Sequence, residues 1–284
     1  MKRYLSLIKF AHTIFAMPFA LLGFFMGAAS VNFQLSWWLL LKVILCMVFA
    51  RSAAMSFNRY IDRDIDILNA RTAIREIPAG TISPQHALIF TIATAFAFVL
   101  TCYFVNRICF LLSPVALAVI LGYSFTKRFT ALCHIVLGIG LALAPVGAYL
   151  AVTAHFAWQP VIIGFTVLTW VAGFDIIYAL QDEEFDSQHN LYSVPRLLGK
   201  VNALRLSSGL HVASAALLLV TAFCFHTGLV YQSGTIIFIL LIFYQHMLVK
   251  PNDLSKVNMA FFTTNGIASI VFGILAICDI VFLQ

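Results

Sequence analysis

The sequence predicts an all-α membrane protein with nine transmembrane helices, arranged as two four-helix halves plus a ninth helix. Composition, nine long apolar runs and a repeated acidic pattern carry this prediction. Of the 284 residues, 62% are hydrophobic and 10% are charged, and the mean hydropathy is +0.98. A soluble core could not enclose so large a share of apolar side chains, so we expect the chain to lie in a bilayer.

Nine apolar runs are each long enough to cross a hydrocarbon layer of ~30 Å as a helix. The runs are Phe10 to Val31, Trp37 to Phe57, His86 to Val105, Ile108 to Phe125, Ala131 to Val152, Phe156 to Leu180, Leu206 to Phe225, Leu229 to Val249 and Val257 to Phe282. The first run has no small-residue cleavage pattern and is too long for the apolar core of a signal peptide, so it is predicted to be retained. We expect a single domain over 1–284, with halves at about 1–130 and 131–250 and the ninth helix at 257–282.

The basic residues orient the predicted bundle. If the spans alternate in direction, 14 of the 17 Lys and Arg residues fall at the amino terminus or in the loops after spans two, four, six and eight. Positive charge is enriched in cytoplasmic loops, so these loops are predicted to be cytoplasmic. The protein is therefore expected in a bacterial-type inner membrane. The net charge of +6 follows from this topology and gives no reason to expect nucleic acid binding.

Cysteine and histidine show no metal or redox pattern. The six cysteines all lie in predicted spans without CxxC spacing, so we expect packing residues rather than disulfides or a zinc site. Four histidines in different spans are likewise expected to be packing residues: His12, His134, His211 and His246.

The acidic residues form two clusters. Eight of the eleven Asp and Glu residues follow either span two (Asp62, Asp64, Asp66, Glu76) or span six (Asp182, Glu183, Glu184, Asp186). The pairs Asp62/Asp66 and Asp182/Asp186 share a four-residue spacing and are offset by 120 residues. The offset, with four spans in each unit, indicates two repeated halves.

Residues four apart on a helix share one face. The sequence therefore predicts two polar stripes, one of Asn58, Asp62 and Asp66 and the other of Tyr178, Asp182 and Asp186. Asp175, seven residues before Asp182, is expected on the second stripe, roughly 10 Å deeper in the membrane zone. Insertion of an aspartate there costs on the order of 3 kcal/mol, so it should face a cavity or a partner.

Two facing carboxylate stripes suit Mg²⁺, which binds through one or two carboxylates plus the phosphates of a substrate. A diphosphate fits between them, and the cations predicted on the same face are expected to clamp its oxygens: Arg71, Arg75, Lys127 and Arg128. The alternative for any single aspartate is a solvated loop charge or a partner of a nearby arginine. For Asp64, Glu183 and Glu184, which point off the stripes, this alternative is preferred.

In these motifs the sequence resembles the intramembrane aromatic prenyltransferases of the UbiA type. Their NDxxDxxxD motif is matched by Asn58, Asp62 and Asp66, and their DxxxD motif with a preceding tyrosine by Tyr178, Asp182 and Asp186. The YxxxKR element is matched by Tyr123, Lys127 and Arg128, the RxxxRxxPxG loop by Arg71, Arg75, Pro78 and Gly80, and the arginine seven residues before the first motif by Arg51. The resemblance extends through nearly the whole chain. One position departs from the pattern, because Arg59 stands where the family usually has a second aspartate.

The resemblance implies a reaction in which a polyprenyl diphosphate loses its diphosphate and an aromatic ring attacks the allylic cation. It implies that Asn58, Asp62, Asp66, Asp182 and Asp186 hold Mg²⁺ and the diphosphate. Tyr123 or Tyr178 would shield the cation by cation–π contact. Arg51 would pair with the carboxylate of a small aromatic acid; its alternative is a structural arginine paired with Asp175 or a backbone carbonyl. Asp175 would align the ring or accept its proton.

Two acceptors fit the resemblance, and two other protein classes are weighed against it. The commonest bacterial acceptor in this family is 4-hydroxybenzoate, on the way to ubiquinone, while the text HTIFAMPFAL and FNRYIDRDID is similar to a menaquinone branch that uses a dihydroxynaphthoate. A cation-coupled transporter also uses repeated halves and carboxylates, but near the bilayer midplane. A CDP-alcohol phosphotransferase would need an Asp-Gly before its aspartates, and neither cluster has one.

Overall fold

The computed structural model describes residues 2–8, 13–33, 36–225 and 227–282. Within these ranges the chain consists of helices joined by mostly short connections, with a longer one at 67–83. The α-helices are α1 (Lys2–Leu7), α2 (Thr13–Ser30), α3 (Trp37–Ile61), α4 (Arg63–Asp66), α5 (Pro84–Tyr103), α6 (Arg107–Thr126), α7 (Cys133–Thr153), α8 (Trp158–Ala179), α9 (Glu183–Gln188), α10 (Val194–Cys224), α11 (Leu229–Leu248) and α12 (Asn265–Phe282). The prediction of an all-α fold is confirmed.

Eight helical stretches in the described ranges are long and apolar enough to cross a membrane. They are α3, α5, α6, α7, α8 with its continuation to Gln188, α10, α11, and the stretch Met259–Phe282 that contains α12. They correspond to predicted spans two to nine. The first predicted span corresponds to α2, a shorter apolar helix, and its expected start at Phe10 lies outside the described residues. Within the described residues eight spans of full length are present, and the predicted count of nine is not confirmed.

Polar side chains begin several of these helices. Ser36, Ser83, Asn106 and Ser193 each accept a hydrogen bond from a backbone N–H in the first turn of α3, α5, α6 and α10, respectively. A helix leaves its first N–H groups without intrahelical partners, and a short side-chain oxygen satisfies one of them. These caps fix the ends of the spans on either side of the connecting loops.

The start of α10 was predicted wrongly. The helix begins at Val194 rather than Leu206, with a break at Gly199, whose φ of 71° and ψ of 164° lie outside the helical region. Arg196, Lys200 and Arg205, predicted to lie in a loop, belong to this helix. An apolar window marks only the part of a helix that suits lipid, so it misses a polar extension beyond the membrane.

Helices α7 and α8 pack closely in the middle of the fold, with α10 against α8 and α2 against both α7 and α12. A Cβ atom built on Gly138 of α7 would lie 2.5 Å from the carbonyl oxygen of Leu168 on α8. Small residues allow such close approach of membrane helices. On the other side, α3, α5 and α6 pack against one another and α6 packs on α7.

Aromatic side chains fill the core between α2, α8, α11 and α12. Trp170, Phe19, Phe238 and Phe272 are nearly fully buried, and their ring centroids lie 5.4 to 6.3 Å apart. Tilted and edge-to-face pairs at such distances are favourable. This core holds α8 rigidly, and α8 leads into the second acidic cluster.

Candidate active site

Both acidic motifs lie where a membrane helix is interrupted. Asp62 separates α3 from α4 with φ −88° and ψ 2°, and Asp182, at the end of a 3₁₀ turn after α8, has φ −104° and ψ 2°. The predicted stripes are therefore bent at equivalent positions rather than straight. Helical bonding still links the first motif, since the N–H groups of Asp62 and Asp66 donate to the carbonyls of Asn58 and Asp62 at 2.9 and 2.7 Å.

The first motif is joined to the loop that follows it. Asn58 Nδ2 donates to Asp62 Oδ2 at 2.9 Å, and Arg75 Nη1 donates to Asp66 Oδ1 at 2.6 Å. Thr72 Oγ1 donates to the backbone carbonyl of Asp66 at 2.9 Å, which folds the loop back over the motif. The bond between Arg75 and Asp66 is charge-assisted, and at 2.6 Å it is among the stronger contacts in a protein.

The second motif is held by the same loop. Arg71 donates through Nε and Nη2 to the two oxygens of Asp182 at 3.1 and 2.5 Å, and through Nη1 to Tyr178 Oη at 2.9 Å. Asn69 Nδ2 adds a bond to Asp182 Oδ1 at 3.1 Å, and Asn69 Oδ1 accepts from the N–H of Arg71 at 3.0 Å. The loop after the first motif thus reaches the second motif, 111 residues away in sequence.

The YxxxKR element pairs with the remaining carboxylates. Lys127 Nζ lies 2.7 Å from Asp186 Oδ1, and Asp186 is fully buried. Arg128 Nη2 donates to the backbone carbonyl of Ile61 at 2.7 Å and lies 3.4 Å from Asp62 Oδ1. Each of the four predicted carboxylates therefore faces one of the four predicted basic residues.

Burial and charge shift the pKa values at this end of the bundle. Burial, together with the nearby charge of Asp66, raises the pKa of Asp62 to about 6, and the charges of Arg128, Lys127 and Arg75 oppose the shift. Burial works against the charged forms of Arg71 and Lys127, but Asp182 and Asp186 outweigh it and raise the pKa of each cation. The cations thus stay charged, while the pKa of Asp62 lies closer to neutral pH than that of an ordinary aspartate.

A polar cavity of about 680 Å³ lies between the two motifs. It is lined by Asn58, Arg59, Asp62, Asp66, Asn69, Arg71, Arg75, Tyr123, Lys127, Arg128, His134, Asp175, Tyr178 and Asp182, among others. An apolar cavity of about 350 Å³ is formed mainly by side chains of α3, α5, α6 and α7. Tyr123 and Leu137 line both cavities, so the polar space adjoins an apolar one.

The predicted magnesium ligands fit a cation in part. Oδ2 of Asp66 and Oδ2 of Asp186 are buried and make no hydrogen bond within the described ranges, and hard carboxylate oxygens of this kind suit Mg²⁺. Among the described residues, however, no three Asp, Glu, His or Cys side chains lie close enough together to hold a metal. The basic partners separate the carboxylates, so a diphosphate would have to supply the missing ligands.

The surroundings of three predicted residues bear on their roles. Arg51 lines the apolar cavity, with its Nε buried and without a hydrogen bond in the described part of the chain. The Tyr178 ring is stacked on Phe261 with centroids 4.2 Å apart, and the Arg71 guanidinium lies 5.2 Å from its centroid. The Tyr178 ring is thus already in contact with Phe261 and Arg71. Asp186 lies behind Lys127 and is absent from the cavity lining.

Asp175 pairs with a histidine and not with Arg51. His134 Nδ1 lies 2.7 Å from Asp175 Oδ2, and both side chains line the polar cavity. His134 is buried and hydrogen-bonded, as expected for a packing residue, but its contact with Asp175 in the cavity wall was not predicted, and Asn69 was missed altogether. Neither stands in a recognisable motif, although an asparagine two residues before a predicted phosphate-binding arginine is a turn signal. Asp64, by contrast, is exposed and, within the described residues, forms an ion pair with Arg63 alone, as expected for an acid off the stripe.

The fold and the site define an intramembrane enzyme for a substrate with an anionic head and an apolar tail. The profile of the UbiA prenyltransferase family matches residues 16–267, and the chain belongs to that family. It is a prenyltransferase.

Individual relatives agree with this assignment. The chain is 28% identical over 239 residues to a 4-hydroxybenzoate octaprenyltransferase of Aliivibrio fischeri, covering 83% of this chain and 82% of the relative. It is 30% identical over 231 residues to a 4-hydroxybenzoate octaprenyltransferase of Shewanella sediminis, covering 79% and 80%.

Among solved structures, an apo UbiA homolog from Aeropyrum pernix shares 31% identity with a TM-score of 0.85, over 94% of this chain and 98% of that chain. A UbiA homolog from Archaeoglobus fulgidus bound to DMAPP and Mg²⁺ has a TM-score of 0.78 at 22% identity, over 99% of each chain. The latter likeness concerns the fold. The transporter alternative receives no support from any of these comparisons.

Proposed function

We propose that this prenyltransferase moves a polyprenyl chain from a polyprenyl diphosphate to a small aromatic acid of the 4-hydroxybenzoate type, as a step of respiratory quinone biosynthesis. One observation carries the proposal: two carboxylate motifs with their basic partners line a polar cavity that adjoins an apolar cavity at Tyr123. A diphosphate needs the first environment and an isoprenoid tail needs the second. The names of the relatives support the choice of acceptor.

The diphosphate would lie between the two motifs. Asn58, Asp62, Asp66 and Asp182 would hold Mg²⁺ from the cavity wall, and Asp186 would join them once Lys127 turns to the phosphates. Bound Mg²⁺ would neutralise the diphosphate and make it a better leaving group. The bound substrate would exchange partners with the ion pairs, so that Arg71, Arg75, Lys127 and Arg128 contact phosphate oxygens. Arg59, buried in the wall of the same cavity, adds a positive charge where the family pattern has a carboxylate.

The reacting carbon would lie near the junction of the cavities. Departure of the diphosphate breaks its C–O bond, and the electron pair leaves with it. The ring of Tyr123 stands where the two cavities meet, and its π face would stabilise the allylic cation. The apolar walls exclude water, which would otherwise capture the cation. The role of Tyr178 is to position Arg71 through their hydrogen bond.

The acceptor would be bound by Arg51 and Asp175. The Arg51 guanidinium lies in apolar surroundings and has an unsatisfied Nε, so an acceptor carboxylate would satisfy it through charge-assisted bonds. The ring attacks the cation, forms the C–C bond and loses a proton, for which Asp175 is the candidate acceptor on the cavity wall.

The topology is part of the same proposal. The positive loops support an active site at the cytoplasmic face of a bacterial-type inner membrane. We infer that α2 is the first of nine spans of a single domain over 1–284. The equivalent helix breaks at Asp62 and Asp182 support two halves, at about 1–130 and 131–250, followed by the helix at 257–282.

The test is transfer of a radiolabelled prenyl chain by purified protein in detergent, with and without Mg²⁺. Either 4-hydroxybenzoate or a dihydroxynaphthoate is supplied, because the second acceptor would indicate menaquinone instead of ubiquinone. We expect magnesium-dependent product with 4-hydroxybenzoate and a loss of at least about 100-fold in Asp62→Ala and Asp182→Ala. The matched control is Asp64→Ala, an exposed acid of the same segment, which should retain activity. No product from folded protein with any prenyl chain length would refute the proposal.

A further inference from the structure

His134 and Asp175 form a hydrogen-bonded pair in the wall of the polar cavity, away from the two acidic motifs. His134 Nδ1 lies 2.7 Å from Asp175 Oδ2, and the side chains are 4% and 24% exposed, respectively. The histidine is thus enclosed, whereas the aspartate reaches the cavity. Oδ1 of Asp175 makes no hydrogen bond to the described part of the chain, so it is available to a ligand.

The second ring nitrogen of His134 sets the direction of this bond. The backbone N–H of Val194 points to His134 Nε2, with the two nitrogens 3.3 Å apart, which favours the tautomer with an unprotonated Nε2. In a neutral imidazole the proton then lies on Nδ1, which donates to the Asp175 carboxylate. Val194 is the first residue of α10, so the pair is anchored to the segment that follows the second motif.

Helix packing explains why these two residues meet. Gly138 lies one turn after His134 on α7, and its missing side chain lets α7 approach the backbone of α8 at Leu168. Leu168 lies two turns before Asp175. Because α7 and α8 are antiparallel neighbours, the close contact at Gly138 and Leu168 brings His134 and Asp175 together nearer the cytoplasmic motifs.

We propose that His134 is a positioning residue, which holds the Asp175 carboxylate so that its second oxygen accepts the hydroxyl group of the phenolic acceptor. The inference rests on the proposed function and deepens it by adding the residue that orients Asp175. With Oδ2 held by His134, Oδ1 of Asp175 is the oxygen left to accept the phenolic O–H. This bond increases electron density at the ring carbon next to the hydroxyl, and it complements the carboxylate pairing assigned to Arg51 at the other end of the acceptor.

The first test compares two ligands that differ at the hydroxyl group. 4-Hydroxybenzoate and 4-methoxybenzoate have the same carboxylate, but only the former donates a hydrogen bond. Loss of a hydrogen bond to a charged group weakens binding by about 10- to 100-fold. We expect wild-type protein to bind 4-methoxybenzoate more weakly by this factor in calorimetric titrations, and the difference to vanish in Asp175→Asn. Equal binding of both acids by wild-type protein would overturn the inference.

The second test separates positioning from structure. We expect His134→Leu to raise the KM for 4-hydroxybenzoate by about tenfold or more, with the KM for geranyl diphosphate within about twofold of wild type. His134→Asn keeps a donor close to the place of Nδ1 and should recover most of the loss. The matched control is His211→Asn on α10, a histidine that is equally buried but absent from the lining of both cavities; its acceptor KM should not change.

A spectroscopic reading checks the tautomer directly. In ¹⁵N-histidine NMR spectra, the signal that disappears in His134→Asn should show a protonated Nδ1 and an unprotonated Nε2. The opposite tautomer, or a His134→Leu variant whose two KM values rise together, would overturn the positioning role. If wild-type protein forms no product from geranyl diphosphate and any phenolic acid, the proposed function itself fails. If the product forms and the His134 and Asp175 variants keep wild-type acceptor constants, only this inference fails.

Discussion

Arg71 and Asp182 are joined by a two-pronged ion pair that links the loop of one acidic motif to the carboxylate of the other. Nε and Nη2 of Arg71 each donate to a different oxygen of Asp182, and Nη1 of the same guanidinium donates to Tyr178. A planar guanidinium can make all three bonds at once, whereas an ammonium group cannot. The pair therefore holds the two motifs at a fixed separation until a substrate competes for the arginine.

Replacement of this arginine by lysine should be costly although the charge is kept. We expect Arg71→Lys to lower kcat/KM for the prenyl diphosphate by about 10- to 100-fold, because the two-pronged contact is lost. The measurement is a steady-state titration of the diphosphate at saturating acceptor. The control is Arg63→Lys, at an arginine that pairs only loosely with exposed Asp64 and should stay within about twofold. An Arg71→Lys enzyme with wild-type kcat/KM would contradict the assignment.

Arg51 is expected to distinguish charged from neutral acceptors. Arg51→Ala should raise the KM for 4-hydroxybenzoate by about 10- to 100-fold, because the carboxylate loses its charge-assisted partner. The KM for 4-hydroxyacetophenone, a neutral phenol of similar shape, should change little. Lys42→Ala provides the control on the same helix, since Lys42 Nζ bonds to the Phe104 carbonyl and lines neither cavity. A parallel rise for both acceptors would point to a structural role for Arg51.

The Lys127 and Asp186 pair should show the cost of an unpaired buried charge. Asp186 is fully buried, while Lys127 is about one-third exposed. Lys127→Met is expected to lower the free energy of unfolding by about 2–3 kcal/mol, below the range for a fully buried pair because of that exposure. The double variant Lys127→Met/Asp186→Leu removes both charges and should recover most of the loss. Melting temperatures in detergent compare the variants, and a double variant less stable than Lys127→Met would refute this account.

Asp62 should make magnesium binding depend on pH. Its pKa is raised by burial and by Asp66 to about 6, so below this pH the carboxyl group holds a proton and competes poorly for a cation. Affinity should thus rise with pH up to about 6 and level off above it. Below that value it should fall by about tenfold per pH unit. Mn²⁺ titrations followed by EPR between pH 5 and 8 measure this, with Asp62→Asn expected to bind weakly and with a flatter pH profile. A flat profile for the wild-type protein would exclude Asp62 as the ligand that titrates.

Much of the fold followed from local sequence. The apolar runs located spans two to nine, because a chain that crosses lipid must satisfy its backbone hydrogen bonds internally and therefore forms a helix. The two acidic motifs and the YxxxKR element could also be predicted from the sequence, because their residues are spaced as on one face of a helix. The start of α10 was not predicted, because the residues from Val194 to Arg205 are polar enough for a loop. The side chain of Ser193 caps the helix that they form.

What the sequence determined by itself was the chemistry available: four carboxylates in two motifs, four cations on the same face and an arginine within the second span. Tertiary structure decided how these groups are used. Pairing of Arg71 with Asp182 and of Lys127 with Asp186 crosses between distant segments, and no local pattern specifies which cation meets which acid. The His134 and Asp175 pair depends on the close approach of α7 and α8 at Gly138. Contacts of this kind arise from the packing of whole helices. The distance between two helix backbones decides which side chains can form a hydrogen bond, and the spacing of residues along one helix does not determine that distance.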